Sequence, residues 1–230
     1  MINSANNLKA IVKIAEALEE LNDQVIFVGG SVVGLYINDP AAEDVRPTKD
    51  VDVSADIATF GELEKIRQQL VKKGFKQSHE EKVVCRFLYQ GIKLDVMGTK
   101  EVGWAPSNPW FGPGFKHIEK QKIDAITINI LPLAYFLATK FTAFHGRGGA
   151  DPRFSHDFED ITYILDNKVD LVESVTRAPD DVKKYLRSEF RKILKGSSLQ
   201  EAIIANLNHL TQTERYNAIV SKLEKFVTGK

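Results

Sequence analysis

The stretch "DVDVSAD" at residues 50–56 sets the strongest constraint on the fold. Apolar and polar residues alternate there with the two-residue period of a strand, so Asp50 and Asp52 project from one face and Val51 and Val53 from the other. A sheet that accepts this segment needs a core under one face and an environment for two neighbouring carboxylates on the other. Two ionised acids a few ångströms apart repel each other unless a cation lies between them. Oxygen ligands at this spacing suit a hard divalent ion such as Mg²⁺. The plainer reading is a solvated strand face.

The flanking sequence gives this pair a setting. "QVIFVGG" is a β-rich run closed by glycines and predicts a strand entering a tight turn; "SVVGLYI" predicts a short helix leaving it. Gly29, Gly30 and Ser31 can offer backbone N–H groups to a phosphate at a helix start, or form an ordinary strand-to-helix turn. Downstream, "VVCRFLYQ", Gly91 and "IKLDVM" read as a hairpin. Its second strand turns Ile92, Leu94 and Val96 to one face and Lys93, Asp95 and Met97 to the other. If this strand lies beside residues 50–56, Asp95 becomes a third carboxylate at the pair; otherwise it is a further solvated acid.

The rest of the chain divides in two. Leu8, Ile11, Val12, Ala15, Leu18 and Leu21 recur at helical spacing and predict a helix near residues 5–22. Thr59 and Glu62 form a capping-box pattern for a helix ending at Gly74. Residues 98–115 hold both tryptophans among glycines and prolines and read as a long loop, either packed over the domain or able to stack a base through Trp104 and Trp110. "IDAITINIL" restores a strand. From Pro132 the pattern is helical, with helices near 132–145, 156–166, 179–194, 198–209 and 212–227, and capping-box patterns at Ser198/Glu201 and Thr211/Glu214. The expected fold class is α+β: a mixed sheet flanked by helices over residues 1–131, then a helical region over 132–230.

Composition narrows the function classes. The 31 Lys and Arg balance 31 Asp and Glu, so total charge gives no reason to grip a long nucleic acid. Hydrophobic residues make up 43%, enough for a real core. The single cysteine, Cys85, excludes an intrachain disulfide and fits a reducing compartment. No apolar run approaches the roughly 20 residues of a membrane helix. The N-terminal segment lacks the marks of a signal peptide. A cytoplasmic protein is expected.

The combination "VGGS…RPTKDVDV…KLDVM" resembles the nucleotidyltransferase superfamily that includes DNA polymerase β. "FVGGSVVGLYI…RPTKDVDV", with "LATKFTAFHGR…HDFEDITYIL" downstream, is similar to the AbiEii/MenT-type nucleotidyltransferases, which include bacterial toxins. The resemblance covers about residues 25 to 166. It implies transfer of a nucleoside monophosphate from an NTP to an acceptor hydroxyl, with Asp50, Asp52 and Asp95 catalytic and holding two Mg²⁺ ions, or Mn²⁺. Gly29, Gly30, Ser31, Arg46, Lys140 and Asp157 are the implied nucleotide-binding residues. For some members it implies a tRNA acceptor and an antitoxin partner. A small-molecule hydroxyl as acceptor, or a non-catalytic nucleotide-binding module, are the alternative readings.

The residues themselves leave several of these roles open. Arg46 holds the loop, touches phosphate, or is a solvated loop arginine. Lys140 falls on an apolar stripe with Leu133, Leu137, Phe141 and Phe144, and burying an ammonium is costly without a partner. That partner is a nucleotide triphosphate, as the resemblance implies, or internally Asp157 or Asp160. Asp157 reads as a site residue or a helix-start acid favoured by the dipole, and Asp160 as structural. Arg147 fits phosphate or acceptor binding, or plain loop; His156 fits a capping or surface role. Lys183, Lys184, Arg187, Arg191, Lys192 and Lys195 form a basic cluster suited to RNA phosphates, but Asp180, Asp181 and Glu189 are interleaved, as on a solvated helix face.

Overall fold

The computed structural model describes residues 2–77, 85–147 and 151–229. It divides into two compact units, residues 1–35 with 43–132, and residues 36–42 with 133–230. Val83 and Val84, at the start of the expected hairpin, lie outside the described residues.

The first unit is built on a seven-stranded sheet. In chain order its elements are helix α1 (Ile2–Leu18), strands β1 (Val25–Val28) and β2 (Asp50–Ala55), helix α2 (Phe60–Lys72), strands β3 (Lys76–Gln77), β4 (Arg86–Tyr89) and β5 (Ile92–Gly98), helix α3 (Phe111–Phe115), and strands β6 (Glu119–Ile123) and β7 (Ile126–Ile130). The strand order is β3-β4-β5-β2-β1-β7-β6. β2 pairs parallel with β5 and β1 parallel with β7; the remaining neighbours are antiparallel, so the sheet is mixed. Val51, Val53, Leu94 and Val96 are buried, as their alternation requires.

Several local expectations are met and several are corrected. Thr59 and Glu62 close a reciprocal capping box at the start of α2. The segment after Gly29 is a 3-10 helix, Gly30–Leu35. α1 ends at Leu18 and gives way to a 3-10 turn over Glu19–Gln24. Its inward face is Asn7, Ile11, Ile14, Ala15 and Leu18, with Leu8 and Val12 half-exposed, so the helix is rotated from its predicted stripe. Asn7 is what turns inward, because it has a backbone segment to hold, as described below. β6 had no strand pattern: "EKQKI" is mostly exposed, and its place comes from backbone pairing with β7 across a turn with Asp124 at φ +51°. Lysines on such an edge also discourage pairing with another chain. In the 98–115 loop, Trp104 meets Phe87 edge-on at 5.7 Å, so that ring packs against the sheet.

The second unit holds helices α4 (Leu133–Gly146), α5 (His156–Asn167), α6 (Leu171–Thr176), α7 (Asp180–Lys195), α8 (Ser197–Ala205) and α9 (Gln212–Thr228). α6 is an addition to the expected set. The capping boxes expected at Ser198 and Thr211 do not form. α8 begins at Ser197 on Gly196, which puts Ser198 inside the helix, and Thr211 makes no side-chain cap. Residues 36–42 are tied to this unit by backbone N–H groups of Asn38 and Asp39 on the Asn167 carbonyl, and by the Asn38 amide on Asp170. Lys222 donates to the carbonyls of Leu165 and Asp166, closing the C-terminal end of α5.

Candidate active site

Strands β2 and β5 bring the expected acids into one row, with β1 and β4 on either side. β1 runs antiparallel to β2 with Val28 opposite Asp52. β2 runs parallel to β5 with Asp52 opposite Asp95 and Asp50 opposite Lys93. β4 runs antiparallel to β5 with Arg86 opposite Asp95. Directly opposed residues share a face, so Asp52, Asp95 and Arg86 stand side by side, and Asp50 joins them two residues along β2.

Arg86 is the residue on which this row closes. Its Nε donates to Asp95 Oδ1 at 2.7 Å and its Nη2 to Asp95 Oδ2 at 2.7 Å, a two-pronged pairing. The same Nη2 donates to Asp50 Oδ2 at 3.0 Å. The side chains of Arg86 and Asp95 are 12% and 13% exposed and that of Asp50 34%, so the cluster is sheltered at β4–β5 and open toward Asp50. Next to it, burial and then the charge of Asp95 push the Cys85 thiol up to about 11, so this cysteine stays protonated and is no nucleophile near neutral pH.

The glycine turn fits tightly around the row. Gly29 has φ +72°, and a Cβ there would stand 1.8 Å from Asp52 Oδ2. The residue facing the Asp52 carboxylate therefore has to lack a side chain. A Cβ on Gly30 would stand 2.4 Å from Arg46 Nη2, so Arg46 reaches back onto the turn from the loop before β2. That loop is held by Asn7 of α1. The Asn7 amide donates to the Arg46 carbonyl, and its oxygen accepts from the Thr48 N–H and hydroxyl. Ser31 is buried, and its Oγ has no hydrogen-bond partner. A buried hydroxyl without a partner is costly and marks a place where an acceptor is wanted.

Lys140 and Asp157 lie in the helical unit. Lys140, on α4, is buried and donates to Asp160 Oδ2 at 2.6 Å and Asp157 Oδ1 at 3.4 Å, both on α5. Asp160 is therefore the nearer counter-ion. Arg147 Nη1, on an exposed side chain, stands 2.9 Å from Asp157 Oδ2, close enough for an ion pair at the edge of the buried Lys140 network. His156 pairs with Glu159 at the surface. On α7, Lys183 pairs with Asp180, Lys192 with Glu189, and Arg187 lies over the Phe226 ring. The basic cluster is thus partly neutralised within its own unit, as interleaved acids suggest.

Sequence reasoning missed Arg86 and Asn7. For Arg86 a signal existed: a two-residue turn at Gln90-Gly91 pairs Tyr89 with Ile92 and, by counting back, Arg86 with Asp95. Asn7 carried none, because a polar residue on a helix stripe shows its purpose only once the loop it holds is in place.

The donor types at this site suit a hard divalent cation: three carboxylates on one sheet face, Gly29 packed on one of them, and a partnerless hydroxyl at the turn. The arrangement is not a ready-made cage. Among the described residues, no group of three or more His, Cys, Asp or Glu side chains converges to hold an ion. Asp50 and Asp95 meet Arg86 instead.

Fold and site define a class. The chain resembles the crystal structure of an antigenic nucleotidyltransferase-like protein from Paracoccidioides brasiliensis, with a TM-score of 0.50 and 16% identity over 91% of this chain and 97% of that one. That likeness shows a shared nucleotidyltransferase-like fold, in agreement with the α+β expectation. No curated protein matches the chain. The family described as the nucleotidyl transferase AbiEii toxin of a type IV TA system matches residues 14–228, and the chain belongs to that family.

Proposed function

We propose that the chain is a metal-dependent nucleotidyltransferase that moves a nucleoside monophosphate from an NTP to an acceptor hydroxyl, with tRNA as the acceptor. The observation that carries this reading is the row Asp52–Asp95 with Asp50 beside it, packed against the Gly29 turn, in a chain of the AbiEii family. Asp50, Asp52 and Asp95 would hold Mg²⁺ or Mn²⁺. Bound there, divalent ions supply neutralisation of phosphate charge and a lowered pKa for the acceptor hydroxyl.

The chain's own groups do the rest by positioning. Gly29 leaves the Asp52 carboxylate room at the turn. The Ser31 hydroxyl donates to a phosphate oxygen, which satisfies a group that otherwise has no partner. Arg46, held by Asn7 over Gly30, meets the same phosphates with a planar cation. An Asp95 oxygen accepts the acceptor hydroxyl's proton. The hydroxyl oxygen then bonds to the α-phosphorus while the bond to pyrophosphate breaks and that group leaves. An antitoxin protein is the partner that the family implies.

Incubation with Mg²⁺, each labelled NTP and either total tRNA or a library of small hydroxyl compounds tests this. Label on tRNA that disappears in Asp52→Ala supports the reading. Label on a small molecule replaces the acceptor, and silence on both with nucleotide binding intact makes the protein a binding module.

A further inference from the structure

We propose that Arg86 is a built-in counter-ion occupying the cation position of the acid row, and that a divalent ion binds only by displacing it. The inference rests on the metal-dependent reading above and adds to it a competitor that belongs to the chain.

The contacts make the case. Arg86 sits on β4, yet its guanidinium reaches both β5 and β2, donating to Asp95 Oδ1, Asp95 Oδ2 and Asp50 Oδ2. An ion shared by Asp50 and Asp95 would draw on the Asp95 oxygens, both of which carry Arg86 bonds, and it would bring two positive charges beside the guanidinium, where like charges repel. The row carries three carboxylates against Arg86, with Lys93 opposite Asp50, so one net negative charge remains to attract a further cation. Asp50 is the most exposed of the bonded groups, so an ion entering on that side breaks the longest bond, at 3.0 Å, first. With the ion absent, Arg86 keeps the acids from driving their strands apart. Arg86 thereby sets the metal affinity of the resting protein and acts as a positioning residue.

The test uses the full chain and Mn²⁺ as the probe. Calorimetry and electron paramagnetic resonance of Mn²⁺ give the affinity of the wild type, Arg86→Gln and Arg86→Lys without nucleotide. Thermal midpoints are recorded with and without the ion. Arg86→Gln is expected to bind Mn²⁺ at least about tenfold tighter than wild type, a change of about 1.4 kcal/mol. Without metal its midpoint falls below wild type, and Mn²⁺ restores more of it than in the wild type. Arg86→Lys, which keeps the charge and loses the fork, falls between the two and serves if the glutamine variant does not fold. Equal or weaker Mn²⁺ binding by the folded variants, with label transfer by the wild type intact, overturns this proposal alone. No Mn²⁺ binding by any variant, with or without NTP, and no label transfer overturns the metal-dependent reading and this inference with it.

Discussion

Substituting Gly29 by alanine isolates the contact that shapes the acid row. Gly29 has φ +72°, and a Cβ there meets Asp52 Oδ2 at 1.8 Å, Cγ at 2.6 Å and Cβ at 2.8 Å. Carbon–oxygen contacts settle at about 3.3 Å or more, so the carboxylate must retreat by more than ~1 Å. Two effects add. The left-handed backbone costs an L-residue about 1–2 kcal/mol, and alanine's smaller unfolded-state entropy offsets ~0.4–1 of that. Overpacking against a strand that cannot swing away adds about 1–3 kcal/mol. A net loss of about 2–4 kcal/mol follows. Gly91→Ala is the control, because Gly91 has φ +82° and nothing within 4 Å of its added Cβ. It pays the backbone cost alone, about 1 kcal/mol. Trp104 and Trp110 both belong to the sheet unit, so urea unfolding followed by tryptophan fluorescence reads the unit concerned. A Gly29→Ala stability within about 0.5 kcal/mol of Gly91→Ala would refute the steric reasoning. Retained Mn²⁺ binding in Gly29→Ala would refute the placing of Asp52 in the cation site.

Three further outcomes follow from the structure. Thr59→Ala removes one half of the α2 capping box and should lower stability by about 1 kcal/mol in the same fluorescence assay; no change means the box does not hold the helix start. Lys140→Met leaves the buried Asp160 without its 2.6 Å partner and should cost about 3–5 kcal/mol by far-UV circular dichroism, with Asp160→Asn in the same chain recovering much of it; a loss below about 1 kcal/mol would mean the network is dispensable. Burial opposes ionisation of Asp170, but Lys168, Asn38 and Ser174 outweigh it and hold the carboxyl down to about 2. A depressed acid stabilises the fold above its unfolded pKa of about 3.9 and loses that contribution as pH falls through its folded value. The stability advantage of wild type over Asp170→Asn should therefore be full near pH 5 and shrink between about pH 4 and 2; a pH-independent difference would show that the shift is not coupled to folding.

Much of the candidate site was readable because its chemistry is local. Alternation in "DVDVSAD" and "IKLDVM" assigned Asp50, Asp52 and Asp95 to polar strand faces, and β-rich sequence ending in glycines located the turn beside them. The Thr59 capping box formed because both partners lie within one helical turn. Where partners lie far apart in sequence, pattern gave less. Asn7 turned inward on α1 to bind residues 46 and 48, which no helical period reveals. Residues 36–42 joined the helical unit through Asn38, Asn167 and Asp170, against any reading by sequence neighbourhood.

The sequence by itself determined which residues share a face, where the strands turn, and that the second part of the chain is helical, because these follow from side-chain period and backbone sterics within a few residues. Only the tertiary structure decided that β2 lies parallel to β5 with Asp52 opposite Asp95, that Arg86 closes on Asp95 and Asp50, and that Lys140 meets Asp160. Those pairings join segments 9 to 43 positions apart, as between Arg86 and Asp95 and between Asp52 and Asp95, and ion pairs act through space rather than along the chain.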